Sequence, residues 1–130
     1  MREAARGLSR LFQPDLILTS PYLRARQTAD ILEREYNTGA VRLCHALASG
    51  DNTELLADIE ASPVRRILLV GHEPHISGST SLLVSGATDG MPLSFKKGAA
   101  ALVSFDEQPE PGRGLLEWLL QPAALRGLAR

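Results

Sequence analysis

Arg66-Ile67-Leu68-Leu69-Val70-Gly71-His72-Glu73-Pro74-His75 is the stretch that decides how the chain is read. Four apolar residues in a row, bounded by charge and by glycine, suit a strand buried on both faces. Gly71 then lets the backbone turn sharply. His72 follows just past the carboxyl end of that strand, where open α/β sheets place their ligand crevice. On this stretch alone, His72 is equally a histidine in an ordinary strand-to-helix loop.

Working upstream, Leu16-Ile17-Leu18-Thr19 reads as a second short buried strand. Ser20-Pro21 reads as a helix start, with Ser20 as N-cap and Pro21 at the first helical position. The helix covers Tyr22 to Tyr36, with apolar residues at Leu23, Ala25, Ala29, Ile31 and Leu32, and Asn37-Thr38-Gly39 stops it. Val41 to Leu47 alternates as a strand and Ser49-Gly50-Asp51-Asn52 is a loop. Asp51 and Glu54 resemble a capping box for a helix over Thr53 to Glu60. Downstream, Ile76 to Ser85 reads as a helix and Gly86 to Pro92 as a loop. Gly98 to Phe105 and Leu115 to Leu120 read as two strands joined through a Pro-, Gly- and Glu-rich connection. A short, partly helical tail follows Pro122. Met1 to Phe12 has a helical pattern but no Ser, Thr, Asp or Asn opens it, so the chain reads as starting inside an element.

Strands alternating with helices predict an α/β domain with a mostly parallel sheet and helices on both faces. The last two strands, joined directly, are expected as its antiparallel edge. One domain over residues 1–130 is the default for this length. Apolar residues make up 44% and charged residues 22% of the chain, ordinary values for a soluble globular protein. A net charge of -1 predicts neither a nucleic-acid partner nor an anionic membrane surface. No stretch approaches the ~18 apolar residues of a membrane span, and the first ten residues lack a signal-peptide core. The lone Cys44 excludes an internal disulfide and fits a reducing, cytoplasmic location.

Two strand-to-loop junctions stand out as candidates for chemistry: Leu18-Thr19-Ser20-Pro21-Tyr22-Leu23-Arg24 and Val70-Gly71-His72. If the two strands are parallel, both junctions lie on one edge of the sheet. A helix start offers free backbone N–H groups to an anion. Arg24 stands in that first turn, where a cation opposes the helix dipole. A phosphate or carboxylate bound between helix start and guanidinium accounts for it; a solvated arginine or surface ion pair is the plain alternative. Arg26 belongs to a solvated face. His72 and His75, three apart, lack a convincing third metal ligand, and His45 lies in a separate strand. Cys44 and Trp118 read as packing residues. Ser20 lacks a nucleophile elbow and reads as a cap. Lys96-Lys97 reads as a solvated edge.

Together these residues resemble the histidine phosphatase superfamily, with its phosphoglycerate mutase-like fold, and within it the SixA-type phosphohistidine phosphatases. Leu16 to Ala29, with its Ser-Pro-x-x-Arg-Ala-x-Gln-Thr run, and Leu68 to Pro74, with Val-Gly-His-Glu-Pro, carry the resemblance. Phe95 to Leu102 and Trp118 to Pro122 are also similar. The resemblance implies a three-layer sandwich and hydrolysis of a phosphoramidate or phosphomonoester through a phosphohistidine intermediate. It implies Arg24 and His72 as catalytic residues around the phosphoryl oxygens. Arg24, His72 and Ser20 form the implied substrate-binding set. It implies no cofactor and no metal. The implied partner is a phosphorylated histidine protein or a small phosphate compound.

The chain departs from the family at one point. The family's nucleophile is a histidine in an Arg-His-Gly-like motif at the end of its first strand, and no Arg-His pair occurs in these 130 residues. The expectation is an N-terminally truncated domain, lacking roughly 20–30 residues of strand, loop and half a helix, and inactive by the family mechanism. Asp51 or Glu54 lies near the place where many members carry a proton donor, but neither sits in a matching motif. The alternatives are a non-catalytic phosphate-binding module of the same fold and a broad-specificity small-molecule phosphatase.

Overall fold

A computed structural model describes all 130 residues. The chain runs α1 (Arg2–Ser9), β1 (Leu16–Thr19), α2 (Leu23–Tyr36), β2 (Val41–Leu43), α3 (Ala46–Ser49), α4 (Asn52–Ala61), β3 (Ile67–Val70), α5 (His75–Ser85), β4 (Ala100–Ser104), β5 (Leu115–Leu120) and α6 (Pro122–Leu128). No helix is long and apolar enough to cross a membrane.

The first three strands form a parallel sheet in the order β2-β1-β3. Thr19 is level with Leu43 on one side and with Val70 on the other, so all three carboxyl ends reach the same edge. β4 and β5 pair antiparallel, as expected, but as a separate two-stranded sheet. β3 pairs only with β1 and β4 only with β5, so each keeps one edge without a strand partner.

β1 is the centre of the packing, and all four of its residues are buried. Side chains alternate across a strand. Ile17 accordingly packs with Ala4, Ala5, Leu8, Ala25, Ala29, Leu32, Val70 and Leu125 from the helical side formed by α1, α2 and α6. Leu16 and Leu18 face the opposite layer with Cys44, Ala46, Leu47 and Leu55. The result is helix, sheet and helix in three layers. Leu68, Ala100, Trp118 and Leu120 also pack against the first cluster, which brings the β4-β5 pair onto the same core.

Three local expectations are corrected. β3 points side chains into both layers, but only Val70 is buried and Ile67, Leu68 and Leu69 are half-buried; the strand lacks a neighbour on its outer edge. The stretch expected as one strand to Leu47 ends at Leu43 and turns into α3. Cys44, Ala46 and Leu47 all enter one core cluster; a strand would send Leu47 to the opposite face, whereas a helical turn gathers them. Finally, α2 begins at Leu23 rather than at Pro21, and Tyr22 is its N-cap without a side-chain cap bond. A residue before proline is held extended, so Ser20 continues the ladder, donating its N–H to Val70 O at 2.9 Å.

Other ends follow their local chemistry. Asp51 Oδ1 accepts the N–H of Glu54 at 3.1 Å and caps α4. Asn37 ends α2 in the left-handed conformation, φ 54°. α1 has eight residues, too few to persist alone in water, and is held by Ala4, Ala5 and Leu8 in the core.

Candidate functional site

The parallel register places the residues after β1 beside those after β3. Ser20 Oγ lies 2.9 Å from His72 Nε2. The same oxygen accepts the N–H of Tyr22 at 3.2 Å. The Tyr22 ring covers the imidazole, with centroids 5.3 Å apart and planes tilted by 45°. Ser20 is fully buried, His72 half-buried and Tyr22 exposed. The arrangement is a short polar connection from the sheet edge, through a serine hydroxyl, to an imidazole at the surface.

Arg24 lies exposed in the first turn of α2, two residues past Tyr22. No acidic residue shares that turn, so the positive helix start and the guanidinium reinforce each other locally. An anion is the ligand such a place suits. On the far side of His72, the exposed Glu73 carboxylate accepts the Ser77 N–H at 2.8 Å and also the Ser77 hydroxyl, closing the start of α5. Gly71 is not among the glycines of positive φ. Its smallness serves the approach of α5 instead: a Cβ there would come within 2.9 Å of Ile76 Cδ1.

The remaining candidates lie elsewhere. His45 is exposed at the start of α3. The His75 imidazole packs over Gly50, where a Cβ would stand 2.5 Å from the ring. His, Cys, Asp and Glu side chains form no group of three that could hold a metal ion. Asp51 is engaged as a helix cap and Glu54 is exposed. Cys44 is buried, and burial together with the Asp58 carboxylate, 3.4 Å from its sulfur, pushes the thiol pKa up; it is a packing residue. Trp118 packs against the core, and Lys96 and Lys97 are exposed. Two shallow grooves lie on the helical side, the first lined by Arg2, Arg6, Ile31, Arg34 and Glu35 and the second by Arg2, Glu3, Arg6, Ala129 and Arg130. Neither includes Ser20, Arg24 or His72.

Sequence reasoning missed Tyr22 as a neighbour of His72 and read Ser20 as a cap rather than as its partner. The only available signal was position: both residues sit in the junction after a strand expected to run beside β3.

A histidine and an arginine-bearing helix start thus share the carboxyl edge of a parallel sheet, where open α/β sheets place their ligand crevices. No family model matches the chain. An uncharacterized protein of Picosynechococcus is 39% identical over 85 residues, which are 62% of this chain and 51% of that protein. The chain thus spans about half the length of the curated relative it matches. Solved structures share its fold, among them two SixA proteins. The protein histidine phosphatase SixA complexed with tungstate is 25% identical, with a TM-score of 0.76 over 95% of this chain and 80% of that one. A SixA-type protein from Agrobacterium tumefaciens is 23% identical, with a TM-score of 0.64 over 92% of this chain and 76% of that one. The fold is that of the phosphoglycerate mutase-like proteins, and the chain is related to the SixA-type members of the histidine phosphatase superfamily.

Proposed function

We propose that these residues carry the phosphate-holding part of a phosphohistidine phosphatase-type hydrolase. The observation that carries the reading is the juxtaposition of Ser20 and His72 across the carboxyl ends of β1 and β3, beside the helix that bears Arg24. The similarity to SixA, a histidine phosphatase, supports a phosphatase function. In this reading Arg24 and His72 surround the phosphoryl oxygens and stabilise the charge that builds there. An attacking imidazole forms a bond to phosphorus as the substrate's P–N or P–O bond breaks and the leaving atom takes a proton. Water then attacks the phosphohistidine, and inorganic phosphate leaves.

The attacking histidine, in this proposal, is supplied by residues outside these 130. His45 precedes α3 in an exposed position, the His75 ring at the start of α5 packs over Gly50, and His72 is held by Ser20. A fifth of the SixA structure has no counterpart here, and β3 and β4 each have an unpaired edge that an added strand could join. The substrate class is a phosphorylated histidine on a protein, or a small phosphate compound. A non-catalytic phosphate-binding module is the second reading, favoured by the same placement of the three histidines.

The test compares the 130 residues with a form extended upstream by the natural coding sequence. Phosphate release is measured from a phosphohistidine protein, phosphoserine and sugar phosphates. The expected result is hydrolysis of phosphohistidine by the extended form alone, lost in His72→Ala. Hydrolysis of an aryl phosphate by the 130 residues that survives both His72→Ala and Arg24→Ala would overturn the reading.

A further inference from the structure

We propose that Ser20 is a positioning residue that locks His72 in the Nδ1–H tautomer, so that the nitrogen offered to an anion is Nδ1. A neutral imidazole has one donor and one acceptor nitrogen, and its partners decide which is which. Ser20 Oγ accepts one hydrogen bond, from the Tyr22 N–H at 3.2 Å. Its own hydrogen needs an acceptor, because Ser20 is fully buried and buried hydroxyls are satisfied. His72 Nε2, at 2.9 Å, is the acceptor within reach. Nε2 therefore carries the lone pair and the proton resides on Nδ1.

The opposite assignment, Nε2–H donating to Ser20 Oγ, would give that oxygen two incoming donors and leave its buried hydrogen with no acceptor. The Tyr22 ring, 5.3 Å from the imidazole centroid, restricts rotation of His72 on one face. His72 is only half-buried and its hydrogen bond within the chain is made by Nε2, which leaves Nδ1 as the nitrogen available to a ligand. The result is a directed series from the Tyr22 N–H through the Ser20 hydroxyl to the imidazole, ending in an outward Nδ1–H donor. Successive hydrogen bonds of this kind polarise one another. The inference deepens the phosphate-site reading and rests on it for the identity of the anion, though not for the tautomer.

The test is long-range proton–nitrogen NMR of the uniformly 15N-labelled chain, at a pH where the imidazoles are neutral and without added anion. His72 is expected to show a protonated Nδ1 and an unprotonated Nε2, while exposed His45 shows the Nε2–H form that free histidine prefers. In Ser20→Ala the His72 pattern should invert to predominantly Nε2–H, a change that a merely structural serine would not produce. A wild-type spectrum dominated by Nε2–H, or an Nδ1–H form that persists in Ser20→Ala, overturns the inference. The wild-type spectrum decides even if the variant does not fold. Adding tungstate then separates the two readings: an Nδ1–H form that tungstate leaves unperturbed keeps the tautomer assignment and overturns the phosphate site.

Discussion

Ser20 Oγ and His72 Nε2, 52 positions apart in the chain, stand 2.9 Å from each other. The bond exists because β1 and β3 are parallel and in register up to Thr19 and Val70. It joins two loops that would otherwise be independent, and it gives the imidazole a fixed direction beside the start of α2.

His72→Ala and Arg24→Ala are each expected to weaken tungstate binding. A hydrogen bond to a charged group contributes about 1.5–3 kcal/mol, so each loss corresponds to roughly 10- to 100-fold in affinity. Arg24 is exposed, so its variant should leave the melting temperature little changed, whereas His72→Ala also removes the acceptor of the buried Ser20 hydroxyl and should lower it. Calorimetric titration checks the affinity, and unchanged binding in both variants would remove the anion site.

Gly7→Ala should be among the most destabilising single substitutions. A Cβ at Gly7 would lie 1.7 Å from Leu125 O, a backbone atom that cannot rotate away. Overpacking commonly costs about 1–3 kcal/mol, and separation of α1 from α6 would add the loss of Leu125 from the core. Urea unfolding measures it.

Tyr36→Phe should be neutral or stabilising. The Tyr36 hydroxyl is buried with no hydrogen-bond partner, and burial, with the Glu35 charge adding to it, raises its pKa. Removing an unsatisfied buried hydroxyl relieves about 1 kcal/mol of desolvation. A clear drop in stability of the Phe variant would show that the hydroxyl has a partner in solution.

Glu33 predicts a feature of the acid limb. Burial acts to raise its pKa, but hydrogen bonds from the Thr38 hydroxyl, the Thr38 N–H and the Gly39 N–H together hold it below the ordinary carboxylate value. A group with a depressed folded pKa stabilises above its unfolded value, ~4.3, and that contribution disappears as pH falls through the folded pKa. Stability of the wild type should therefore decline below about pH 4 more steeply than that of Glu33→Gln. Denaturant midpoints across a pH series make the comparison.

Hydrogen exchange should rank the strands. β1 is paired on both sides and buried throughout, whereas β3 and β4 each have one unpaired edge. Ile17 to Thr19 should exchange slowest, and the outward amides of β3 and β4 orders of magnitude faster. Equal protection on β1 and β3 would mean that the β3 edge is covered in solution.

The sequence by itself determined the two strands that matter most. Leu16–Thr19 and Ile67–Val70 are uninterrupted runs bounded by breakers, and the run length, not the neighbours, marks them as strands. It also placed the Asp51 cap and the stop at Asn37, because caps are local chemistry. Only the tertiary structure decided that Ser20 extends a ladder instead of capping a helix, since its N–H finds Val70 O on another strand. Only the tertiary structure turned Cys44 to Leu47 into a core-facing helical turn, and left β3 half-buried for want of a second neighbour. Local signals report what a segment can form; pairing and burial are settled by atoms that the segment does not contain. For that reason Arg24 and His72 could be singled out from their neighbours in sequence, while the partnership of Ser20, Tyr22 and His72 could not.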